Sequence, residues 1–466
     1  MLRRLNPFRS LPNPREVWAW GMYDLANQSF TLLINTLLFA VYFKQVVVGD
    51  DTEALSAKGD RLWGVVVSAS MLTVVVLSPF LGALADGRGW KKKFLMGTGV
   101  VCVALTCAFA AIGEGQIALA IALYIPANIA YQLGENFMAS FLPEVSTPAN
   151  IGRISAIGWT MGYIGALGLS VALILSIFVF GIEDKHEWPA LFVFAGLWFL
   201  GGMIAPAISL REAPATALHP GVSNPAVEAL TRIRETFRDA ERYRQLRRFL
   251  TAFFAYGMGM QTVIFFAAII ATDIAFKGRD DAETMLFVFT ILLTITAGAG
   301  AVLTSMIQDR IGSMRTLKMF LVVWMIALFG LAAYTISANR GAPWPFWTFW
   351  PIGGLIGFGL GGVGPASRAT VGAFTPRHKT AEFFGLWGLS YKLAAVVGVG
   401  AFGLVKAGLG DEASLALLFG YFALGFGLLF AVREDVGIEA ARQAERDVGM
   451  APRDAARWTH EAPTDL

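Results

Sequence analysis

Apolar stretches of about 20 residues recur along nearly the whole chain, separated by short polar breaks. Such a stretch crosses a ~30 Å hydrocarbon core at ~1.5 Å per residue, so each predicts a membrane-spanning helix. Twelve are read. The first six cover 18–43, 63–85, 94–112, 116–140, 154–180 and 188–209; the second six cover 249–275, 284–307, 316–337, 346–372, 382–406 and 412–432. The fold class predicted is an all-α membrane protein, twelve transmembrane helices in two pseudo-symmetric six-helix bundles. Residues 1–210 form the first bundle, 211–248 a linker, 249–432 the second bundle and 433–466 a tail.

Composition agrees with this pattern. Of 466 residues 56% are hydrophobic and 15% charged, against about 25% charged in soluble domains. Fifty glycines allow close helix approach in lipid. Met1 to Arg15 is basic and polar, and the long apolar stretch after it leads into more spans, so no cleavable leader is expected. Cys102 and Cys107 stand five residues apart on one predicted helix and point to different sides. They read as buried thiols rather than a disulfide or metal site.

Charge orients the bundle. With the N-terminus inside, cytoplasmic segments hold 27 of the 37 Lys and Arg residues and the other side holds eight; Arg368 and Lys392 lie within spans. This asymmetry predicts both termini in the cytoplasm. In the linker, Leu230, Ile233, Phe237 and Ala240 fall at helical spacing among Arg232, Arg234, Arg238 and Arg242. That is the pattern of a basic amphipathic helix on the inner membrane surface, or of a solvated linker helix.

The halves repeat each other. Pro148, Trp159 and Tyr163 correspond to Pro376, Trp387 and Tyr391 at one offset of 228. Asp86-x-x-Gly89 recurs as Asp309-x-x-Gly312 after the second span of each half. Matches in the same topological order indicate duplication of a six-span unit, the organisation of major facilitators.

Several stretches carry a family resemblance. Gly82-Ala-Leu-Ala-Asp86-Gly-Arg88-Gly89-Trp-Lys91-Lys92-Lys93 resembles the major facilitator loop between spans two and three. Gly89 permits a tight reversal, Asp86 can accept from a helix N-terminus, and the lysines hold the loop inside. Gly87 stands where that family often has Arg, and Arg88 is the substitute. The segments Trp18 to Phe30, Phe141 to Trp159 and Ala381 to Lys392 are similar to the vacuole-effluxer, autophagy-related branch of the superfamily. The resemblance implies the major facilitator fold and export of amino acids. It also implies that spans one, four, seven and ten line a central cavity.

Candidate pathway residues follow. Asp24, Asn27, Gln28, Thr31 and Asn35 share one stripe about 100° wide on span one. Asn128, Tyr131, Gln132, Glu135 and Asn136 cluster on span four, and Lys392 lies near the middle of span eleven. Ionisable groups at such depth mark a pathway or a partner. By the family analogy Asp24, Asn27, Gln28, Asn35, Asn128, Gln132 and Glu135 line the first half, and Tyr256, Gln261 and Thr262 the second. A zwitterion needs an anion for its ammonium and a cation for its carboxylate, which Asp24 or Glu135 with Lys392 would supply. Alternatively, one carboxylate carries a coupling proton across. A structural lock between helix ends is the competing reading, and Arg153, Arg368 and Glu382 are read as gate or helix-end residues.

Other classes find less support. The chain has no His-Glu-x-x-His, no Gly-x-Ser-x-Gly and no Walker loop, and its four histidines lie outside the spans. An enzyme, a primary pump, a metal site and a cofactor are therefore not expected. A lipid or lipophilic-compound flippase on the same fold is the alternative; it would need a lateral apolar groove. The expected partners are a small-molecule substrate, membrane lipid and protons as coupling ion, with no nucleic acid. A monomer in a bacterial inner membrane is expected.

Overall fold

A computed structural model describes residues 11, 13–145, 151–182, 184–212, 243–376 and 380–447. The predicted amphipathic linker helix and Thr147-Pro148 lie outside them, as do the side chains of Asp86, Arg153, Asp309 and Glu382. Among the described residues the regular structure is entirely helical. Eleven helical stretches are long and apolar enough to cross a membrane, and the last, Phe383–Ala431, contains two spans. Gly410 breaks it with φ 80° and ψ −171°, a conformation that only glycine adopts readily.

The spans are α1 (Pro14–Gly49), α2 (Glu53–Arg88), α3 (Lys91–Ala111), α4 (Ile117–Val145), α5 (Ile151–Phe180) and α6 (Pro189–Ser209). The second set is α7 (Arg244–Ile274), α8 (Ala282–Ile311), α9 (Ser313–Asn339), α10 (Phe349–Phe374), α11 (380–409) and α12 (411–428). A last helix, α13 (Glu434–Asp447), packs against α10 and α7. Successive spans alternate in direction. One face of the bundle, here the terminal face, carries Pro14, the α2–α3 turn and α13; the opposite face carries the α1–α2 and α7–α8 connections. Helix α2 runs further than its apolar core between two defined ends. Thr52 accepts from the Leu55 N–H at 3.2 Å to start α2, and Gly89 ends it at φ 62°.

Pseudo-symmetry is visible in one contact. Glu212, beyond α6, accepts from the backbone N–H of Lys91 (2.6 Å) and Lys92 (3.1 Å) at the start of α3. Glu434, beyond α12, accepts from Ser313 (3.1 Å) and Met314 (3.4 Å) at the start of α9. Both pairs share one offset, 434−212 = 313−91 = 222. Each carboxylate satisfies N–H groups that the helix itself leaves unpaired, at its positive end. The sequence reading gave such a role to Asp86, whose side chain lies outside the described residues; Glu212 has it in the first half.

The halves meet along α2 with α11, α5 with α8, and α1 with α7. Glycine sets the closest approach: a Cβ on Gly64 would stand 3.0 Å from the Gly403 Cα. Ser68 Oγ donates to the Val396 carbonyl at 2.8 Å and Trp63 Nε1 to the Phe265 carbonyl at 2.7 Å, both across this seam.

Candidate functional site

Helices α1 and α4 run antiparallel, and their polar stripes pair rung by rung. Asn27 Nδ2 donates to Glu135 Oε1, the Thr31 and Tyr131 hydroxyls bond at 2.6 Å, and Asn35 Nδ2 donates to Asn128 Oδ1 at 3.2 Å. Steps of three or four residues on both helices keep the rungs on one face of each. Turns of wider π geometry at Ser29–Leu37 accompany this part of α1. The upper rung continues inward: the Tyr124 hydroxyl donates to Asn35 Oδ1 at 2.9 Å, and Asn128 Nδ2 donates to Ser70 Oγ at 2.7 Å. Asn35 and Asn128 are only 1% and 0% exposed. Their polar atoms are used in holding α1, α2 and α4 together.

Lower on these two helices, four ionisable groups from α1, α4, α10 and α11 gather. Asp24, Glu135, Arg368 and Lys392 are all half-buried. Asp24 and Glu135 come from the first half; Arg368 and Lys392 come from the second. Asp24 lies ten residues into α1, Glu135 ten residues from the end of α4, and Lys392 twelve into α11. At ~1.5 Å per residue they share one level, ~15–18 Å above the terminal face. Lys392 Nζ donates to Asn136 Oδ1 at 2.7 Å across the seam, and Asn136 Nδ2 donates to Ser78 Oγ at 2.7 Å. Glu135, next to Asn136 on α4, is near enough to Lys392 to interact with it electrostatically. Arg368 interacts with Asp24 and Glu135, and its guanidinium lies 5.3 Å from the centre of the Trp159 ring. The sequence reading put Arg368 among gate or helix-end residues; it lies six residues inside α10, with this cluster.

Small residues make the room. A Cβ on Gly158 or Gly162 of α5 would come within 3.5 Å of Asp24 Oδ2, and one on Gly162 would also meet the Gln28 amide at 3.4 Å. Asn27 is 1% exposed, and its Oδ1 has no hydrogen-bond partner. Such an atom is costly to bury unless something else comes to it. A cavity of about 80 Å³ adjoins the cluster, lined by Ser78, Gly82, Lys91, Asn136 and Ser140 among others. Leu133, Phe137 and Ala85 share the lining with these polar groups, and the space holds room for a few waters. Gln132 is half-buried on α4.

The second half contributes less. Tyr256 and Ser367 hydroxyls bond at 2.8 Å, Gln261 Nε2 donates to the Tyr391 carbonyl at 3.5 Å, and Thr262 donates to its own helix at Met258. All three are buried, and two of them bond to neighbours of the charged cluster, since Ser367 precedes Arg368 and Tyr391 precedes Lys392. Arg88 lies 4.8 Å from the Trp90 ring centre beside the Gly89 turn. Cys102 and Cys107 are free thiols, and no group of metal ligands occurs among the described residues.

A second charged cluster closes the opposite face. Lys44 of α1 pairs with Asp60 of α2 (3.0 Å) and with Asp273 of α7. Lys406 of α11 pairs with Asp273 (2.8 Å), Asp60 (3.6 Å) and Asp411 of α12. Side-chain exposure is 1% for Lys44 and 4% for both Lys406 and Asp60. Lys44 and Lys406 are among the eight Lys and Arg residues that the charge count puts on the side opposite the termini. Each stands at the edge of an apolar run, where hydropathy ends a span. Here the helices continue past them and bury them between the halves. The near-matching positions of Lys44 and Asp273 at the outer ends of spans one and seven, equivalent by the repeat, were the available signal.

Comparison with known proteins agrees with this architecture. Residues 64–442 match the family described as Vacuole effluxer Atg22 like. The chain is 24% identical over 437 residues to the uncharacterized MFS-type transporter YxiO of Bacillus subtilis (strain 168), covering 91% of this chain and 96% of that one. It is 26% identical over 305 residues to autophagy-related protein 22 of Yarrowia lipolytica, covering 60% of this chain and only 50% of that relative. A solved D-xylose-proton symporter superposes with a TM-score of 0.66 at 14% identity, over 91% of this chain and 98% of that one. The nucleoside transporter NupG superposes with a TM-score of 0.62 at 13% identity, over 90% of this chain and 98% of that one. At such identities these likenesses concern the fold.

Proposed function

The chain belongs to the Vacuole effluxer Atg22 like family, an integral membrane transporter of major facilitator type, and from that premise we propose that it exports small zwitterionic amino acids by alternating access. The proposed site is the cluster of Asp24 and Glu135 facing Arg368 and Lys392. One observation carries this reading: the two anions belong to one half and the two cations to the other. A zwitterion between the halves meets an anion with its ammonium and a cation with its carboxylate, and the unpartnered Asn27 Oδ1 offers a further acceptor for the ammonium. With no substrate, the four charges offset one another, so the empty site also avoids an uncompensated buried charge.

The membrane is read as a bacterial plasma membrane, from the likeness to the Bacillus protein. The terminal face is read as cytoplasmic, because the segments on that side hold the excess of Lys and Arg. The opposite face, sealed by Lys44, Asp60, Asp273 and Lys406, is then outside, and the structure is read as turned inward. The carrier is read as acting as a monomer, which the placing of all four charges in one chain supports.

Counterflow in proteoliposomes across neutral amino acids, dipeptides and sugars tests this function. Neutral amino acids should exchange, and Lys392→Ala should lose that exchange while keeping its folded, monodisperse form. Exchange of sugars alone, or undiminished amino-acid exchange by Lys392→Ala, would remove the proposal.

A further inference from the structure

The cluster at the opposite face is not balanced. Two lysines, Lys44 and Lys406, meet three aspartates, Asp60, Asp273 and Asp411, so it carries one excess negative charge. The aspartates are not equally well held. Asp273 bonds both ammonium groups, and Asp411 bonds Lys406 and is 32% exposed, so water reaches it. Asp60 is 4% exposed and has the longer contacts, 3.0 and 3.6 Å, and its Oδ1 accepts no hydrogen bond in spite of the nearby ammonium. A buried carboxylate in that position is the least compensated charge of the five.

The halves divide the cluster unevenly. Lys44 and Asp60 belong to the first half and form a neutral pair. Lys406, Asp273 and Asp411 belong to the second and carry the excess charge. When the halves part at this face, water solvates both sets. When they close, all five are desolvated together, and the excess charge is confined. Neighbouring titratable groups do not cancel it. Asp50, near both Lys44 and Asp273, adds a further acid beside Asp51, and Lys185 faces Asp50 but is paired with Glu283 at 3.4 Å.

We propose that Asp60 is the proton-binding site of the gate at this face, and that uptake of one proton there favours the closed gate. The proton comes from water on that side, adds to the Asp60 carboxylate to give the neutral acid, and leaves two lysines facing two aspartates. A metal cation is a poorer fit, because it needs several converging oxygens and here the carboxylates already converge on ammonium groups. This inference rests on the reading of the protein as a transporter whose opposite face is outside. It adds a coupling ion: a proton bound outside turns the empty carrier inward.

The sign is fixed by linkage. The closed gate binds one more proton than the open gate, so falling pH shifts the population toward closed. The test uses the full chain with Cys102→Ala and Cys107→Ala, spin-labelled at Glu53→Cys and Lys277→Cys, both exposed at the opposite face. Pulsed dipolar distances are measured in lipid nanodiscs from pH 5 to 8, with choline or sodium as the salt cation. No substrate is needed, so the outcome is independent of whether amino acids are transported. The parent should show the open:closed ratio falling by up to about tenfold per pH unit as pH drops, equally in both salts. Asp60→Asn should stay closed throughout. Asp411→Asn, which removes the excess charge at the rim, should also favour closure and flatten the profile, and it serves if Asp60→Asn does not fold. A pH-independent ratio in the parent, an unchanged profile in both variants, or a shift with sodium at constant pH would each overturn the proposal.

Discussion

Lys392 Nζ donates to Asn136 Oδ1 at 2.7 Å, from α11 in one half to α4 in the other. Asn136 is in turn fixed by its bond to Ser78. The amide thus holds the ammonium near Glu135, the preceding residue on α4. Asn136→Ala should leave the charge in place but lose its orientation. Efflux of a neutral amino acid from proteoliposomes should fall about tenfold, equivalent to roughly 1.4 kcal/mol of transition-state stabilisation. Asn136→Asp adds a third anion beside the site and should impair efflux at least as much. Wild-type efflux by both variants would show that the contact is incidental.

The Asn35 rung of the α1–α4 ladder should affect stability and leave substrate affinity alone. Asn35 is buried and bonded to both Tyr124 and Asn128. Asn35→Ala strands two buried groups, at a cost of about 1–3 kcal/mol. Thermal unfolding in detergent should register this as a lowered midpoint, with an unchanged KM for transport. A raised KM without a stability change would put Asn35 on the pathway.

The two carboxylate caps should act alike. Glu212 and Glu434 each accept from two backbone N–H groups at the start of α3 and α9. A charged cap at a helix N-terminus contributes on the order of 1 kcal/mol. Glu212→Ala and Glu434→Ala should each lower the unfolding midpoint. Their effects should add within about 0.5 kcal/mol, because the sites share no partner. Marked non-additivity in a double variant would show that the two ends are mechanically linked.

Much of this arrangement was legible in the sequence, for identifiable reasons. Hydrophobic length marks spans, and the polar stripe of α1 is periodic, so Asp24, Asn27 and Asn35 could be placed on one face before any coordinates. What the stripe could not say is how deep each residue lies once a second stripe meets it. Asn35 and Asn128 seal each other off, whereas Asp24 stays half-open because Gly158 and Gly162 present no side chain. A pairing of Arg368 with Asp24 and Glu135 was open in the sequence, but not its depth six residues inside α10, because Asp24 and Trp159 are more than 200 positions away in the chain. Lys44 and Lys406 were only counted toward the side opposite the termini because hydropathy cannot see partners; their burial depends on aspartates from three other spans. The Glu212 and Glu434 caps carry an offset of 222 that could have been found from the repeat.

Glycine at the seam should control which face can close. A Cβ on Gly403 would lie 2.7 Å from the Asp60 carbonyl oxygen, and one on Gly64 3.0 Å from both the Gly403 Cα and the Val399 carbonyl oxygen. These are backbone atoms and cannot move aside as a flexible side chain would, so a larger residue must push α2 and α11 apart. The contact sits beside Asp60 and Lys406, so the separation also lengthens the ion pairs there. Gly64→Leu should therefore hold the opposite face open, seen as a longer distance between labels at Glu53→Cys and Lys277→Cys. Gly420→Leu on α12 is the control, since nothing lies within 4 Å of a Cβ at that position. It should leave the distances as they are. If Gly64→Leu still closes as fully as the parent, the α2–α11 crossing is compliant and the gate does not depend on its close approach.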